Sequence, residues 1–157
     1  MSEIGITLES EKEINGIQVK YFEGATELKF NEKGNWVDVY ANEDVHIDFL
    51  QLKLIKLGFA MNLPDGIEAH LAPRSSTFKT WGIIQSNSVG VIDETFRGDN
   101  DEWKMPVISL RQEGSDIKKG DKIGQFRLIK AQDKIEFIPV ESFGNKDRNG
   151  FGSTGTR

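Results

Sequence analysis

The feature that most constrains this chain is a two-residue alternation of apolar and polar side chains that never runs for long. Leu52 and Leu54 alternate with Lys53, the phase slips at Ile55, and Leu57 and Phe59 continue it. Successive side chains of an extended backbone point to opposite faces, so this reads as one half-buried strand with a bulge. The turn sequence Pro64-Asp65-Gly66 follows, and Ile67, Ala69 and Leu71 then alternate with Glu68, His70 and Ala72. Together the two segments predict a hairpin. MPVISL (residues 105–110), IGQFRLI (123–129) and KIEFIPV (134–140) are short, rich in β-branched and aromatic residues, and set among turns such as EGSD and KKGD. No stretch has the spacing of a long amphipathic helix, so the expectation is an all-β sandwich, jelly roll or small barrel.

Composition excludes several function classes. At 157 residues the chain suits a single domain with a sizeable core. A net charge of -5 argues against general binding to DNA or acidic membrane, and leaves room for a small anionic ligand held by a local basic cluster. With no cysteine and two histidines there is no disulfide framework, no thiolate metal site and little for a structural zinc. The opening MSEIGITLESEKEING lacks a basic stretch followed by an apolar one, and no apolar run approaches the length of a membrane span. The expectation is a cytoplasmic protein with neither nucleic acid nor membrane as partner.

Several segments are more polar than a sandwich requires. In APRSSTFKTWG (72–82), Arg74 offers a planar fork of donors, Ser75 and Ser76 offer hydroxyls, and Pro73 fixes the entry of the chain. Such a set can hold a phosphate, and it equally suits a capped, solvated turn. In QSNSVGVIDETFRGDN (85–100), Asp93 follows Val91 and Ile92 at the end of a strand expected to be buried. Partial desolvation there would raise its proton affinity and make it a general base; the alternative is a turn residue bonded to nearby backbone. Asn87 can read a base edge with its donor and acceptor, or simply occupy a turn. Phe96 can offer a flat face to a sugar or base, or enter the core. Gln125, in KKGDKIGQFRL (118–128), faces either solvent or a ligand, and Asp38, in GNWVDVYA (34–41), points outward or inward. The run NGFGSTGTR (149–157) has the glycines and hydroxyls of a phosphate cradle without the Gly-Lys-Ser/Thr ending of a Walker loop.

Taken in order, NWVDVYA (35–41), PRSS (73–76), NSVGVIDETFRG (87–98), GDKIGQ (120–125) and GFGSTG (150–155) resemble the five motifs of the homotrimeric dUTPase family, in that family's order and spacing. The resemblance is to the branch found in Gram-positive bacteria and their phages. It implies a jelly-roll, or distorted β-barrel, domain over residues 1–143 and a flexible glycine-rich arm over 144–157 that closes over a neighbouring subunit's site. It also implies hydrolysis of dUTP to dUMP and pyrophosphate by Mg2+-assisted attack of water on the α-phosphorus, in a trimer whose active sites are shared between subunits. Asp93 matches the residue that activates the water and holds the sugar 3'-hydroxyl. Arg74, Ser75 and Gln125 match phosphate-contacting positions, with Ser76 beside them. Asn87, with Gly90, Val91 and Ile92 of the same hairpin, matches the reader of uracil. Phe96 matches the ring beneath deoxyribose, and Met105 is placed with the substrate-binding set. Asp38 matches a carboxylate that holds magnesium's water, so no side chain ligates the ion directly and Mg2+ arrives on the triphosphate. In the arm, Arg148 would pair with phosphate, Phe151 would stack on uracil, Gly152 would allow close approach, and Ser153 and Thr154 would donate to the γ-phosphate.

The chain departs from the family pattern at several points. Asn35 and Trp36 replace the usual alanine-glycine pair, PRSS replaces PRSG, Phe96 replaces a tyrosine, and DNDEW (99–103) extends the loop after Gly98. Other readings stay open at this level. A dCTP deaminase shares the fold but needs a catalytic glutamate and releases ammonia. A phage regulatory protein would bind a repressor protein, with the acidic DNDEW loop as its surface. A purely structural jelly roll would need none of the motifs.

Overall fold

The structure is a computed structural model and describes residues 16–152, 154 and 155. Its strands in chain order are β1 (Gln18–Tyr21), β2 (Val37–Tyr40), β3 (Val45–Ile47), β4 (Leu52–Lys56), β5 (Phe59–Asn62) and β6 (Ile67–Pro73). A single-turn helix α1 (Thr77–Trp81) separates these from β7 (Ile83–Gln85), β8 (Gly90–Ile92), β9 (Lys104–Ser109), β10 (Ser115–Ile117) and β11 (Lys122–Lys130). The main sheet runs β2-β11-β6-β8 and a second runs β4-β9-β7, with β1-β5 and β10-β3 as two-stranded ribbons. All named strand pairs are antiparallel, and the result is the expected all-β jelly roll. None of the described helices is long and apolar enough to cross a membrane.

Inward-facing residues of the two larger sheets and the β1-β5 ribbon meet in one core that includes Ile55, Phe59, Leu71, Met105, Val107, Ile123 and Phe126. Trp103 is its largest fully buried side chain, with its ring 4.9 Å from Phe59 and 5.2 Å, edge on, from Phe126. This tryptophan belongs to the DNDEW insertion, and Glu102 beside it accepts the Gly58 N–H at 3.0 Å. The insertion is therefore anchored to the body at Glu102 and Trp103, while Asp99 and Asn100 stay exposed.

Local alternation located the strands but misassigned some partners. Residues 52–59 form two strands in different sheets, because the chain turns at Gly58, whose φ of 79° suits glycine. The pairing of β4 with β9 runs without a shift, so the phase slip at Ile55 is not a bulge. It reflects apolar residues on both faces: Ile55 is buried, while Leu52 and Leu54 point outward. The expected hairpin across Pro64-Asp65-Gly66 does not form either, since β5 pairs with β1 while β6 pairs with β11 and β8. KIEFIPV is no strand in the single chain. After Ala131, whose N–H donates to Gly66 O at 2.8 Å, the described chain leaves the body with Phe137 and Phe143 each 85% exposed.

Candidate active site

β6 organises the candidate residues, with one group on its β11-β2 side and the other along its opposite edge, on β8. At the Pro73 end, the register sets Gln125 of β11 opposite both Asp38 of β2 and Ala72 of β6. Asp38 points inward to this corner, its side chain 19% exposed, with Oδ1 3.0 Å from Arg74 Nε and Oδ2 3.9 Å from Lys122 Nζ. Arg74 Nη1 also donates to Lys122 O at 3.3 Å, and the Gln125 amide donates to Pro73 O at 3.2 Å. Ser75 is exposed beside them, and Ser76 precedes α1 with its hydroxyl unused as a cap. The corner thus gathers a guanidinium, an ammonium, an amide and hydroxyls around one carboxylate, a donor set suited to an oxyanion. The departure at Trp36 has its own account: its ring lies under the Arg127 guanidinium at 5.7 Å.

Along the other edge of β6, β8 pairs through Leu71↔Gly90, His70↔Val91 and Ala69↔Ile92, so the chain runs from Gly90 near Pro73 toward Asp93 near Ile67. Gly90 is required by this close approach, since a Cβ there would lie 2.9 Å from Leu71 Cβ. Gln85, which the sequence reading passed over, is buried and donates both to Leu71 O and to Asn87 Oδ1 at 3.0 Å. It fixes the hairpin and the orientation of the Asn87 amide. The signal for it was present only as a polar residue at an inward phase of β7. Ile92 is partly buried, whereas Val91 is 65% exposed and Phe96 41%, so the Phe96 ring is not a core residue.

Asp93 corrects an expectation. It is exposed, because the strand before it is not buried at Val91. Its Oδ1 accepts the Thr95 hydroxyl and, at 2.8 Å, the Thr95 backbone N–H. The hydroxyl first, and then the N–H, hold the carboxyl below the usual carboxylate value, so proton affinity is lowered rather than raised.

Asp93 continues β8 toward Glu68, while Arg74 follows Pro73, so at about 3.3 Å per residue the two lie about 20 Å apart along β6. Within one chain they do not share a site. Met105 joins neither group. It is fully buried in β9, where the alternation turns it into the core, and its placement with the substrate-binding set is withdrawn. In the arm, Arg148 is exposed and the Phe151 ring is entirely free, with Gly152 at φ 87° and a turn closed by Gly155 N–H to Gly152 O at 2.9 Å across Thr154. Ser153 lies outside the described residues.

No group of three or more His, Cys, Asp or Glu among the described residues is arranged to hold a metal. Asp38, already paired with Arg74, fits a hard cation through that cation's water shell.

Comparison with known proteins reports on the whole constellation. The dUTPase family model matches residues 36–155. The chain belongs to the dUTPase family. Over 142 residues it is 51% identical to the SPbeta prophage-derived deoxyuridine 5'-triphosphate nucleotidohydrolase YosS of Bacillus subtilis, covering 90% of this chain and 99% of the relative. The deoxyuridine 5'-triphosphate nucleotidohydrolase of Finegoldia magna is 38% identical over 74% of this chain and 80% of its own length. Among solved dUTPase structures, that of Staphylococcus bacteriophage 80alpha with dUPNHPP superposes with a TM-score of 0.76 at 20% identity, covering 90% of this chain and 99% of that one. The dUTPase of Streptococcus mutans gives 0.65 at 17% identity, over 79% and 98%. These structural likenesses concern the fold, and the prophage relative agrees with the phage-like branch read from the motifs.

Proposed function

We propose that the chain hydrolyses dUTP to dUMP and pyrophosphate, keeping uracil out of DNA and supplying dUMP for dTMP synthesis. The observation that carries this reading is the division of the family's motif residues between the two edges of β6, the β11-β2 side with Asp38, Arg74 and Gln125 suited to phosphate and the β8 hairpin with Asn87, Gly90 and Asp93 suited to a nucleoside. Asp93, ionised and directed by Thr95, takes a proton from the attacking water as general base. Asn87, held by Gln85, and the close-packed backbone at Gly90 read the uracil edge. Phe96 lies under the sugar, and Arg74, Ser75, Ser76 and Gln125 receive phosphate oxygens and the charge that develops on them. Asp38 would hold water of a magnesium ion arriving with the triphosphate, and that ion would supply charge neutralisation. Arg148, Phe151, Gly152, Ser153 and Thr154 close over the nucleotide and exclude bulk water.

The separation of Asp93 from Arg74 supports a site that draws on more than one chain, as the trimer of the family would allow. Exposed apolar surface supports it. Leu52 and Ile84 flank Ile108 in cross-strand register on the outer face of β4-β9-β7, with Leu54 opposite Pro106. Leu52, Leu54 and Ile84 are 56%, 50% and 40% exposed in the single chain, where an outer sheet face is ordinarily polar.

Pyrophosphate release from dUTP, dCTP, dTTP and UTP, each with and without Mg2+, tests the activity. Selective turnover of dUTP is expected, whereas ammonia release from dCTP would move the chain to the deaminases. A repressor protein as partner would meet the insertion at the exposed Asp99 and Asn100, because Trp103 and Glu102 are engaged with the body.

A further inference from the structure

The bulge in β11 explains how the phosphate end of β6 is assembled. Ladder pairing of β11 with β2 slips between Lys122 and Gly124, so Ile123 has no partner in β2 and consecutive residues Ile123 and Gly124 are both buried. The slip shifts the side-chain phase by one, and beyond it Gln125 stands opposite Asp38. Gly124 fits because a Cβ there would meet Met105 Sδ at 2.9 Å and Ala72 O at 3.1 Å.

The Ile123 carbonyl accepts a hydrogen bond from the Thr77 hydroxyl at 3.1 Å. Thr77 is fully buried, and the same Oγ1 accepts the Arg74 backbone N–H at 2.8 Å. The Thr77 N–H in turn donates to Arg74 O at 3.0 Å, closing the loop that carries Arg74, Ser75 and Ser76. One hydroxyl therefore joins the phosphate loop to the bulge, through a buried carbonyl and a part-buried N–H that lie at the bulge and just past the end of β6.

We propose that Thr77 is a positioning residue for phosphate binding, its hydroxyl pinning the Arg74 loop to the β11 bulge so that Arg74 and Gln125 are both held beside Asp38. The proposal rests on the dUTP-hydrolysing reading above. Valine keeps the shape of threonine and removes both bonds, while serine keeps them. Thr77→Val should lower kcat/KM for dUTP by about 10- to 100-fold, chiefly through KM, in protein shown to be folded at the assay temperature. Thr77→Ser should stay within about threefold of the unaltered enzyme. Amide exchange gives a readout independent of activity. In the unaltered chain the Arg74 N–H should exchange as slowly as the β6–β11 ladder amides, and in Thr77→Val it should speed up while the amide of Leu128 does not.

Fast exchange at Arg74 in the unaltered chain overturns the proposal, even if the valine variant fails to fold. So does a Thr77→Val enzyme with unchanged kcat/KM, or a loss that Thr77→Ser shares. Absence of dUTP turnover by the unaltered chain would instead count against the functional reading, and Arg74 exchange would still judge the pin.

Discussion

At the Pro73 end of β6, Arg74 and Lys122 flank Asp38 and leave one positive charge over, whereas along β8 and toward the Ile67 end Val91, Asp93 and Phe96 stand open to solvent. The first end has its geometry set inside one chain, by an ion pair, a bulge and buried backbone bonds. The second has only a short hairpin that Gln85 holds from the Leu71 side, with its reactive face uncovered. The difference teaches that preorganisation and completeness are separate properties. An anion entering the first end meets donors that are already aimed and only has to compete with a carboxylate; a nucleoside at the second end needs walls from elsewhere.

The comparison breaks most severely at Asp93. Asp93→Asn should reduce kcat by about 10²- to 10⁴-fold while leaving nucleotide affinity within a few-fold, as measured by single-turnover assay and calorimetry. Equal loss of both would mean that this end binds rather than reacts. Removing residues 150–157 should cost about 10²-fold in hydrolysis and leave the sedimenting species unchanged, because the arm covers a site and does not build the body. A change in assembly state would show that the tail belongs to the scaffold. Ile84→Glu buries a charge wherever the β4-β9-β7 face is covered, and should weaken self-association by at least about tenfold in sedimentation equilibrium. Unaltered association would place the contact on another face.

The smallest effect concerns Thr95, which holds the Asp93 pKa down. A depressed pKa keeps the carboxylate ionised to lower pH, so Thr95→Val lets the pKa rise toward its ordinary value. The acid limb of kcat/KM should then move to higher pH by less than about one unit. Movement in the opposite direction would remove Asp93 as the group behind that limb.

Much of this arrangement was legible from residue types alone. Period-two alternation located β6, β9 and β11, because each buries one face against a common core and must obey that pattern. It failed for residues 52–59, where Leu52 and Leu54 are apolar on the outer face and so mimic a core stripe. It also failed for pairing, since Gly66 makes the same tight turn whether the following strand folds back on the last one or crosses to another sheet. Motif order brought Asp38, Arg74 and Gln125 together correctly. Nothing local revealed that Trp103 would enter the core from an acidic loop, or that Thr77 would bond across to Ile123, because both depend on chain segments distant in sequence. The Asp93 environment was misjudged for the same reason: apolar neighbours in sequence do not bury a residue when their own side chains face water.

The described tail carries Ile135, Phe137, Ile138, Val140 and Phe143 into solvent, each at least 57% exposed. If that surface and the divided site both await neighbouring copies, catalysis and folding share one variable, the concentration of the chain itself. A newly made chain would then be inactive and prone to misassociation until it meets its own kind. Dilution would do to this protein what a denaturant does to others.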